Sequence, residues 1–461
     1  MNERKKTIFI TNFHPFVTKN TLNSGVLDRL AIKAQTVVIF VYKDKEDYFK
    51  NIYEKDNVIV EGIDLKKETE VLRNRFFARI SEWLLDTNVM KFHKMEALKK
   101  VGRPVKYYFS LIFTKVFAHL SPFKKLVRWL DYKLNNPELL RVYFEKYNPD
   151  VVFATDAFND SDLFLLKRAK SLGIKNIIML RSWDNTTSRG YLRFVPDKLI
   201  VHNEIGKKDM LKYHNINEDI IYLSGIPQFE KYLGMEPASR EEFYKQMGAD
   251  IKKRLVLFAP AGHFFIDTDW QICQILKDLY NEKKIPQDIQ FIVRLHPFLP
   301  IDLSRFTPDS NFIIDIPGPA LLNKLDKDKK EGELDKSFFQ HIFDSLHHSS
   351  LVINSMSSII IDTAIFDKPL ITINFDGWED PQNVAFLRSL PRRWRFEENQ
   401  ISWMSFGMTP LVESKEKLAL WINKYLDNPS LDSDKRKVFK QTYCWKFDGK
   451  AAERITDICL K

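Results

Sequence analysis

Residues 150–181 read DVVFATDAFNDSDLFLLKRAKSLGIKNIIMLR. An apolar run of strand length (150–155) is followed by a helical pattern (161–172) and a second apolar run (176–181). Runs without polar alternation suit strands buried on both faces, and the intervening helix is the crossover that a parallel pair requires. The same rhythm extends upstream through TIFIT (7–11), TVVIFVY (36–42) and NVIVEGI (57–63). Downstream it continues through KLIVHN (198–203) and IIYLSG (220–225), then restarts with RLVLFAP (254–260), IQFIVRLHP (289–297), NFIID (311–315), LVIN (351–354) and PLITINF (369–375). Two sets of βα units predict an α/β protein with two Rossmann-like domains facing across a cleft. The expected boundaries are 1–225 and 226–445, with a C-terminal helix at 446–461 packing back on the first domain. From about 66 to 146 the rhythm gives way to amphipathic helical patterns, broken at Gly102-Arg103-Pro104 and Ser121-Pro122, which reads as a helical insertion in the first domain.

At 461 residues the chain fits two domains plus an elaboration, and 44% hydrophobic with 29% charged residues is a globular composition. Three scattered cysteines, Cys273, Cys444 and Cys459, imply neither a disulfide framework nor a zinc site. The N-terminus lacks the long apolar core of a signal peptide. The longest apolar stretch, 107–120, is interrupted by Lys115 and falls short of the ~20 residues a spanning helix needs. Cytoplasmic localisation is expected. Residues 71–134 hold 14 Lys/Arg against 4 Asp/Glu, an excess of 10 that matches the net charge of the whole chain. Because this segment is also rich in aromatics and leucine, it reads as a surface for an anionic membrane, with no nucleic acid expected, or as the solvated basic face of a helical subdomain.

In open parallel sheets, ligands bind beyond the carboxyl ends of the strands. RLHP (294–297) follows a strand there, offering Arg294 and His296 to a phosphate or a leaving group. A strand-end salt bridge is the alternative reading. NSMSSIIID (354–362) follows another strand, and Ser355, Ser357 and Ser358 at a helix start suit a diphosphate. Asp362 reads as a ribose contact, as an orienting group for Ser358, or as a solvated carboxylate. Asp184, Asn185 and Thr186 follow the strand NIIMLR and read as an acceptor-side group or as an Asx turn. No DxD pair stands in a clear post-strand position, since Asp160/Asp162 and Asp267/Asp269 both read as helix starts. No metal and no cofactor are expected.

INSMSSIIIDTAIFDKPLITI (353–373) resembles the helix-start motif of the CDP-glycerol glycerophosphotransferase family, the teichoic-acid polymerases. DGKAAERI (448–455), LFAPAGHF (257–264) and RLHP resemble other landmarks of that family, in the same order. The resemblance implies a nucleotide diphosphate held against Ser357 and Ser358, with His296, Lys450 and His263 on the donor side. At 261–263 the chain has Ala-Gly-His where the family carries a Trp-Arg pair, which leaves a nucleotide-sugar donor open. SWDNTTSRG (182–190) and LSGIPQFEKY (223–232) are similar to GT-B glycosyltransferases of bacterial surface polysaccharides. That pattern implies a catalytic base just after the first strand, His14, with Asp156 as rival or as its orienting partner. The resulting expectation is a metal-independent glycosyltransferase at the inner face of the cytoplasmic membrane. It would move a sugar from a nucleotide-diphosphate sugar to a surface-glycan or lipid-linked acceptor. Polyol-phosphate transfer from a CDP-alcohol is the alternative; a sugar-nucleotide epimerase and a non-enzymatic module binding anionic membrane or nucleic acid stand further off.

Overall fold

A computed structural model describes residues 4–262, 265–296, 301–316, 336–355, 357–378, 384–385 and 388–461. The chain forms two compact units, Met1–Lys231 with Cys444–Lys461, and Tyr232–Tyr443.

The first unit is built on seven parallel strands: β1 (Thr7–Thr11), β2 (Thr36–Tyr42), β3 (Val58–Ile63), β4 (Val151–Ala154), β5 (Lys175–Met179), β6 (Lys198–Val201) and β7 (Ile221–Leu223). Their order in the sheet is β3-β2-β1-β4-β5-β6-β7. Alternate residues supply two cores, which is why the strands read as unbroken apolar runs. Phe9, Phe40 and Val152 face one layer with Phe144, Leu163 and Leu166. Ile8, Ile10 and Val37 face the other, where Ile455 and Cys459 of the C-terminal helix Ala451–Leu460 join them.

Between β3 and β4 lie helices Lys66–Glu70, Leu72–Trp83, Asn88–Val101, Pro104–Phe117, Ser121–Leu134 and Arg141–Tyr147. Gly102, in the left-handed region at φ 66°, ends one helix, and Pro104 at the first turn starts the next. Buried polar groups fasten this insertion to the sheet layer. Asp131 accepts from Lys167 Nζ at 2.8 Å and from Arg193 Nε at 2.8 Å, and Arg193 also reaches Asp160 and Asn74. Arg128 donates to the carbonyls of Leu192 (2.7 Å) and His214 (2.5 Å). At Gly190 (φ 91°) a Cβ would stand 3.0 Å from Ser81 Oγ and 3.1 Å from the Glu82 amide, so only glycine lets the loop after β5 meet the end of helix Leu72–Trp83.

The second unit carries β8 (Arg254–Ala259), β9 (Ile289–Arg294), β10 (Phe312–Asp315), β11 (Ser349–Asn354), β12 (Leu370–Ile373) and β13 (Leu411–Val412), all parallel, in the order β10-β9-β8-β11-β12-β13. Val256, Phe258, Phe291, Val293, Ile353 and Ile371 form its core with Ile272, Leu276 and Leu279 of helix Asp269–Asn281. No helix among the described residues is long and apolar enough to cross a membrane.

Candidate functional site

In the second unit β9, β8 and β11 are neighbours, and Ala259 pairs with Asn354 at their carboxyl ends. Arg294 closes β9 one residue past the Phe258–Val293 pair, so Arg294 and Ser355 stand at the ends of the two strands that flank β8. Arg294 is 5% exposed; its Nη1 donates to Asp315 Oδ2 at 2.6 Å, and His341 Nε2 lies 2.8 Å from Asp315 Oδ1. Burial alone would raise the Asp315 carboxyl, but the His341 hydrogen bond and the Arg294 guanidinium hold it below the usual range. Arg294 Nη2 is buried and has no hydrogen-bond partner among the described residues. The guanidinium is therefore half committed to a salt bridge and half unsatisfied.

Ser355 is fully buried, and its amide donates to the Ala259 carbonyl at 3.3 Å. Its hydroxyl lies close enough to Asp269 to favour the carboxylate, but neither Ser355 Oγ nor Asp269 Oδ1 reaches good hydrogen-bond geometry with a described residue. Asp269 Oδ2 accepts from the Gly262 amide at 2.9 Å. Burial pushes the Asp269 carboxyl up to about 7, against the opposing pull of the Gly262 and Ala261 amides and the Ser355 hydroxyl. Unsatisfied polar atoms of Arg294, Ser355 and Asp269 thus lie at the end of β9, just after β11 and at the start of helix Asp269–Asn281.

The other donor-side residues divide. Ser357 is half-buried and Ser358 exposed, and Ser358 sits at the N-cap of helix Ile359–Ile365 without a side-chain capping bond. At seven residues that helix is two turns long, so the dipole contributes less than a long helix would. Asp362 Oδ1 accepts from the Tyr232 hydroxyl at 2.7 Å, which fastens the segment opening the unit. His296 is half-buried just after β9. His263 lies outside the described residues. Lys450 belongs to the first unit, where its exposed side chain stands at the start of helix Ala451–Leu460. The surrounding DGKAAER segment has a structural job. Asp448 pairs with Arg454, Arg454 Nη1 donates to the Ser224 carbonyl at 2.9 Å, and Glu230 accepts from the Ala451 amide at 2.7 Å.

In the first unit the carboxyl ends of β1, β4 and β5 bring His14, Asp156, Arg181, Asp184 and Arg189 into one electrostatic neighbourhood. His14 caps helix Pro15–Asn20, and its Nδ1 accepts from the Phe16 amide at 3.1 Å. The neutral ring therefore carries its proton on Nε2, which makes it a hydrogen-bond donor. Burial, then Arg181 and Arg189, push His14 down to about 3. His14 thus presents a donor, Nε2–H, to the segment after β1, and its assignment as the base is a proposal. Asp156 is buried, accepts from Arg181 Nη1 at 2.6 Å and from the Phe158 amide at 3.0 Å, and so answers a buried guanidinium.

The Asp184–Thr186 trio is also split. Thr186 is buried and donates to Asp209 at 2.6 Å, and its carbonyl lies 2.7 Å from His214 Nε2, which turns it away from an acceptor. Asn185 is buried with Oδ1 unsatisfied, whereas Asp184 is half-buried. The paired aspartates do not present a joint face: Asp160 joins Arg193, while fully buried Asp162 takes the Thr11 hydroxyl and the Thr155 and Asp156 amides.

Sequence reading passed over Arg181 and Arg189, and took Asp162 and Asp269 as parts of helix starts. Arg181 ends the run NIIMLR, so the strand-end rule applied to Arg294 would have found it. Asp269 gave only the signal of a helix start.

The family model described as CDP-Glycerol:Poly(glycerophosphate) glycerophosphotransferase matches residues 182–461. No curated protein matches the chain in sequence. Among solved structures, UDP-GlcNAc 2-epimerase from Methanocaldococcus jannaschii is similar with a TM-score of 0.54 and 14% identity, covering 99% of each chain. The UDP-GlcNAc 2-epimerase of Neisseria meningitidis bound to UDP-GlcNAc gives a TM-score of 0.54 at 12% identity, covering 98% of each. S. aureus MnaA with UDP gives 0.53 at 10% identity, covering 98% of this chain and 94% of that one. At such identities the likeness is one of fold: two parallel α/β units.

Proposed function

The chain belongs to the CDP-glycerol:poly(glycerophosphate) glycerophosphotransferase family, and from that premise we propose that this transferase moves a polyol phosphate from a CDP-alcohol to a hydroxyl of a surface-glycan or lipid-linked acceptor. Membership shifts the weight from sugar transfer to phosphoryl transfer. The observation that carries the donor site is the set of buried, unsatisfied Arg294 Nη2, Ser355 Oγ and Asp269 Oδ1. Unmet buried donors are costly, and a diphosphate oxygen accepts from both a guanidinium and a hydroxyl. Asp269, with its carboxyl near 7, adds a third donor when protonated. Ser357, Ser358 and His296 border the same strand ends.

In this reading an acceptor hydroxyl oxygen attacks the polyol-bearing phosphorus. A new P–O bond forms, the P–O bond to the cytidylate breaks, and CMP leaves with its charge met by Arg294 and Ser355. The hydroxyl proton is released to water, and the acceptor-side groups proposed in the first unit are Asp184, half-buried after β5, with Arg189 and His14 Nε2–H as donors. Protein groups meet the phosphate charge without a metal. Docking of residues 71–134 on an anionic bilayer at the inner face of the cytoplasmic membrane is supported by one face of helix Pro104–Phe117. Val105, Tyr108, Phe109, Ile112 and Val116 are all exposed there, at helical spacing.

Sugar transfer stays as a second reading because of Ala261-Gly262-His263 in place of the family's Trp-Arg pair. Calorimetry with CDP, UDP, GDP and their glycerol and sugar conjugates, in EDTA, separates the two. The proposal expects cytidine conjugates to bind selectively and Ser355→Ala combined with Ser358→Ala to weaken them by about tenfold. Selective binding of a nucleotide sugar would move the assignment to the second reading, and no binding at all would remove the donor site.

A further inference from the structure

Arg294 and Asp315 are register partners at the carboxyl ends of the neighbouring parallel strands β9 and β10, so their side chains leave the sheet on the same face. Both are 5% exposed, and the 2.6 Å bond from Arg294 Nη1 to Asp315 Oδ2 uses only one of the two carboxylate oxygens. The other, Oδ1, lies 2.8 Å from Nε2 of His341, which is itself mostly covered. Asp315 is held below the usual carboxylate range, so it is ionised at neutral pH and only accepts; His341 Nε2 therefore carries the proton of that bond.

His341 comes from helix Lys336–His348. Three residues earlier, on the same helix face, stands Phe338, whose ring centre lies 5.3 Å from the Arg294 guanidinium carbon. One helix thus holds the arginine twice, directly through an aromatic ring and indirectly through the Asp315 bridge. The His341 ring packs in turn 6.3 Å from Phe243 of helix Arg240–Met247. Arg294 is also within electrostatic reach of Tyr232, which donates to Asp362 on helix Ile359–Ile365, the element that Ser357 and Ser358 lead into. The edge of the guanidinium left over is Nη2, buried and without a hydrogen-bond partner among the described residues.

A carboxylate at this place offsets the positive charge that would attract a phosphate. What it supplies is direction: a guanidinium already held in one rotamer loses less freedom when a ligand arrives.

We propose that Asp315 and His341 are positioning residues of the donor site. His341 steadies the Asp315 carboxylate, Asp315 and Phe338 hold the Arg294 guanidinium, and Nη2 is thereby presented to the donor diphosphate. The assignment rests on the reading that Arg294 meets that diphosphate, and it names what sets the strength of the contact.

The test is calorimetry on the full chain with CDP-glycerol and, as a second diphosphate donor, UDP-glucose. His341→Phe, His341→Gln and Asp315→Ala are each measured in the wild-type and in the Arg294→Lys background, with urea unfolding alongside. Lysine still pairs with Asp315 but has no second edge to present. For whichever donor binds, Asp315→Ala is expected to weaken binding about tenfold and His341→Phe about threefold, whereas glutamine, which still donates to Oδ1, should stay within about twofold of wild type. In the Arg294→Lys background the same replacements should change affinity by less than about twofold, because they act through the arginine. Charge alone predicts the reverse for Asp315→Ala, a tighter hold on the anion. His341→Phe keeps the test decisive if Asp315→Ala fails to fold. Binding untouched or tightened by both, with Arg294→Lys weakened, would overturn the positioning role and leave the donor reading standing. Equal losses in the two backgrounds would also overturn it, as general damage to the unit. Wild type that binds neither donor, or an Arg294→Lys variant that binds as wild type does, would overturn the donor reading and the positioning role together.

Discussion

Replacing Asp131 by asparagine keeps its shape and removes one charge from the most deeply buried ion cluster in the first unit. Lys167 is 0% exposed and Asp131 1%, and the carboxylate receives Lys167 Nζ at 2.8 Å, Arg193 Nε at 2.8 Å and Arg193 Nη2 at 3.0 Å. Arg193 would keep Asp160 and Asn74, and the asparagine Oδ1 still accepts from Lys167 or Arg193, but the buried Lys167 loses the one carboxylate that answers its charge. Breaking a buried pair from one side costs about 3–5 kcal/mol. The loss should appear in the first unit, because Asp131 lies on helix Ser121–Leu134, Lys167 on helix Asp160–Ser171 and Arg193 in the loop after β5. Burial pushes Lys167 down to about 8 even with its partner present. Its folded pKa lies below the unfolded value, so wild-type stability rises with pH from about 8 toward about 10.5 as the native lysine sheds its proton first. Above pH 8 the lysine is neutral with or without Asp131, so the Asp131→Asn penalty is largest below about pH 7 and shrinks through pH 8. Urea unfolding by tryptophan fluorescence, with hydrogen exchange on 121–134 and 160–171 as the local readout, measures it. The exposed pair Arg141–Glu145 is the control, and Glu145→Gln should cost under about 0.5 kcal/mol. A penalty for Asp131→Asn below about 1 kcal/mol, or one that grows above pH 8, would refute the reasoning.

Asp269 has a folded pKa of about 7, raised above its unfolded value by burial. The native state keeps a proton that the unfolded chain has released, so the second unit should lose up to about 4 kcal/mol as pH rises from about 4 through 7. Asp269→Asn should flatten that slope in the urea midpoint, and an unchanged slope would sink the assignment. His14 is pushed down to about 3, so its ring proton resonances should stay flat from pH 8 to 5 in an NMR titration, and a midpoint near 6.5 would suit it to act as a base. Its depressed folded pKa contributes stability above about 6.5 that is lost as pH falls toward 3. Asp448→Asn should loosen helix Ala451–Leu460 from the Ser224–Glu230 segment and raise its hydrogen exchange about tenfold; unchanged protection would contradict the structural role given to that segment.

The α/β architecture was legible because its signal is local. Strands such as Thr36–Tyr42 and Leu255 to Ala259 are buried on both faces, so every position must be apolar and the run stands out. The short β13 carries two residues and no such run, and it escaped reading. Strand-end chemistry was partly legible: Arg294 and Ser355 were found because they follow apolar runs directly. Which partners they take was not, since the Arg294–Asp315 and Asp156–Arg181 pairs join residues 21 and 25 positions apart that only the finished sheets bring together. The same holds for His14, whose tautomer is fixed by a backbone amide two residues on. Sequence shows residue type and not direction, so the partners that Thr186 and Asp362 take, Asp209 and Tyr232, were not legible.

The transferred group decides the account, and the released nucleotide reports it. Incubating the full chain with CDP-glycerol and a detergent-solubilised lipid fraction, and following phosphorus by NMR, distinguishes cleavage between the two phosphates from cleavage beyond them. The account predicts CMP, formed with a new phosphodiester and slowed by at least about tenfold in Ser355→Ala. Release of a nucleoside diphosphate from a nucleotide sugar, with CDP-glycerol left intact, would contradict it.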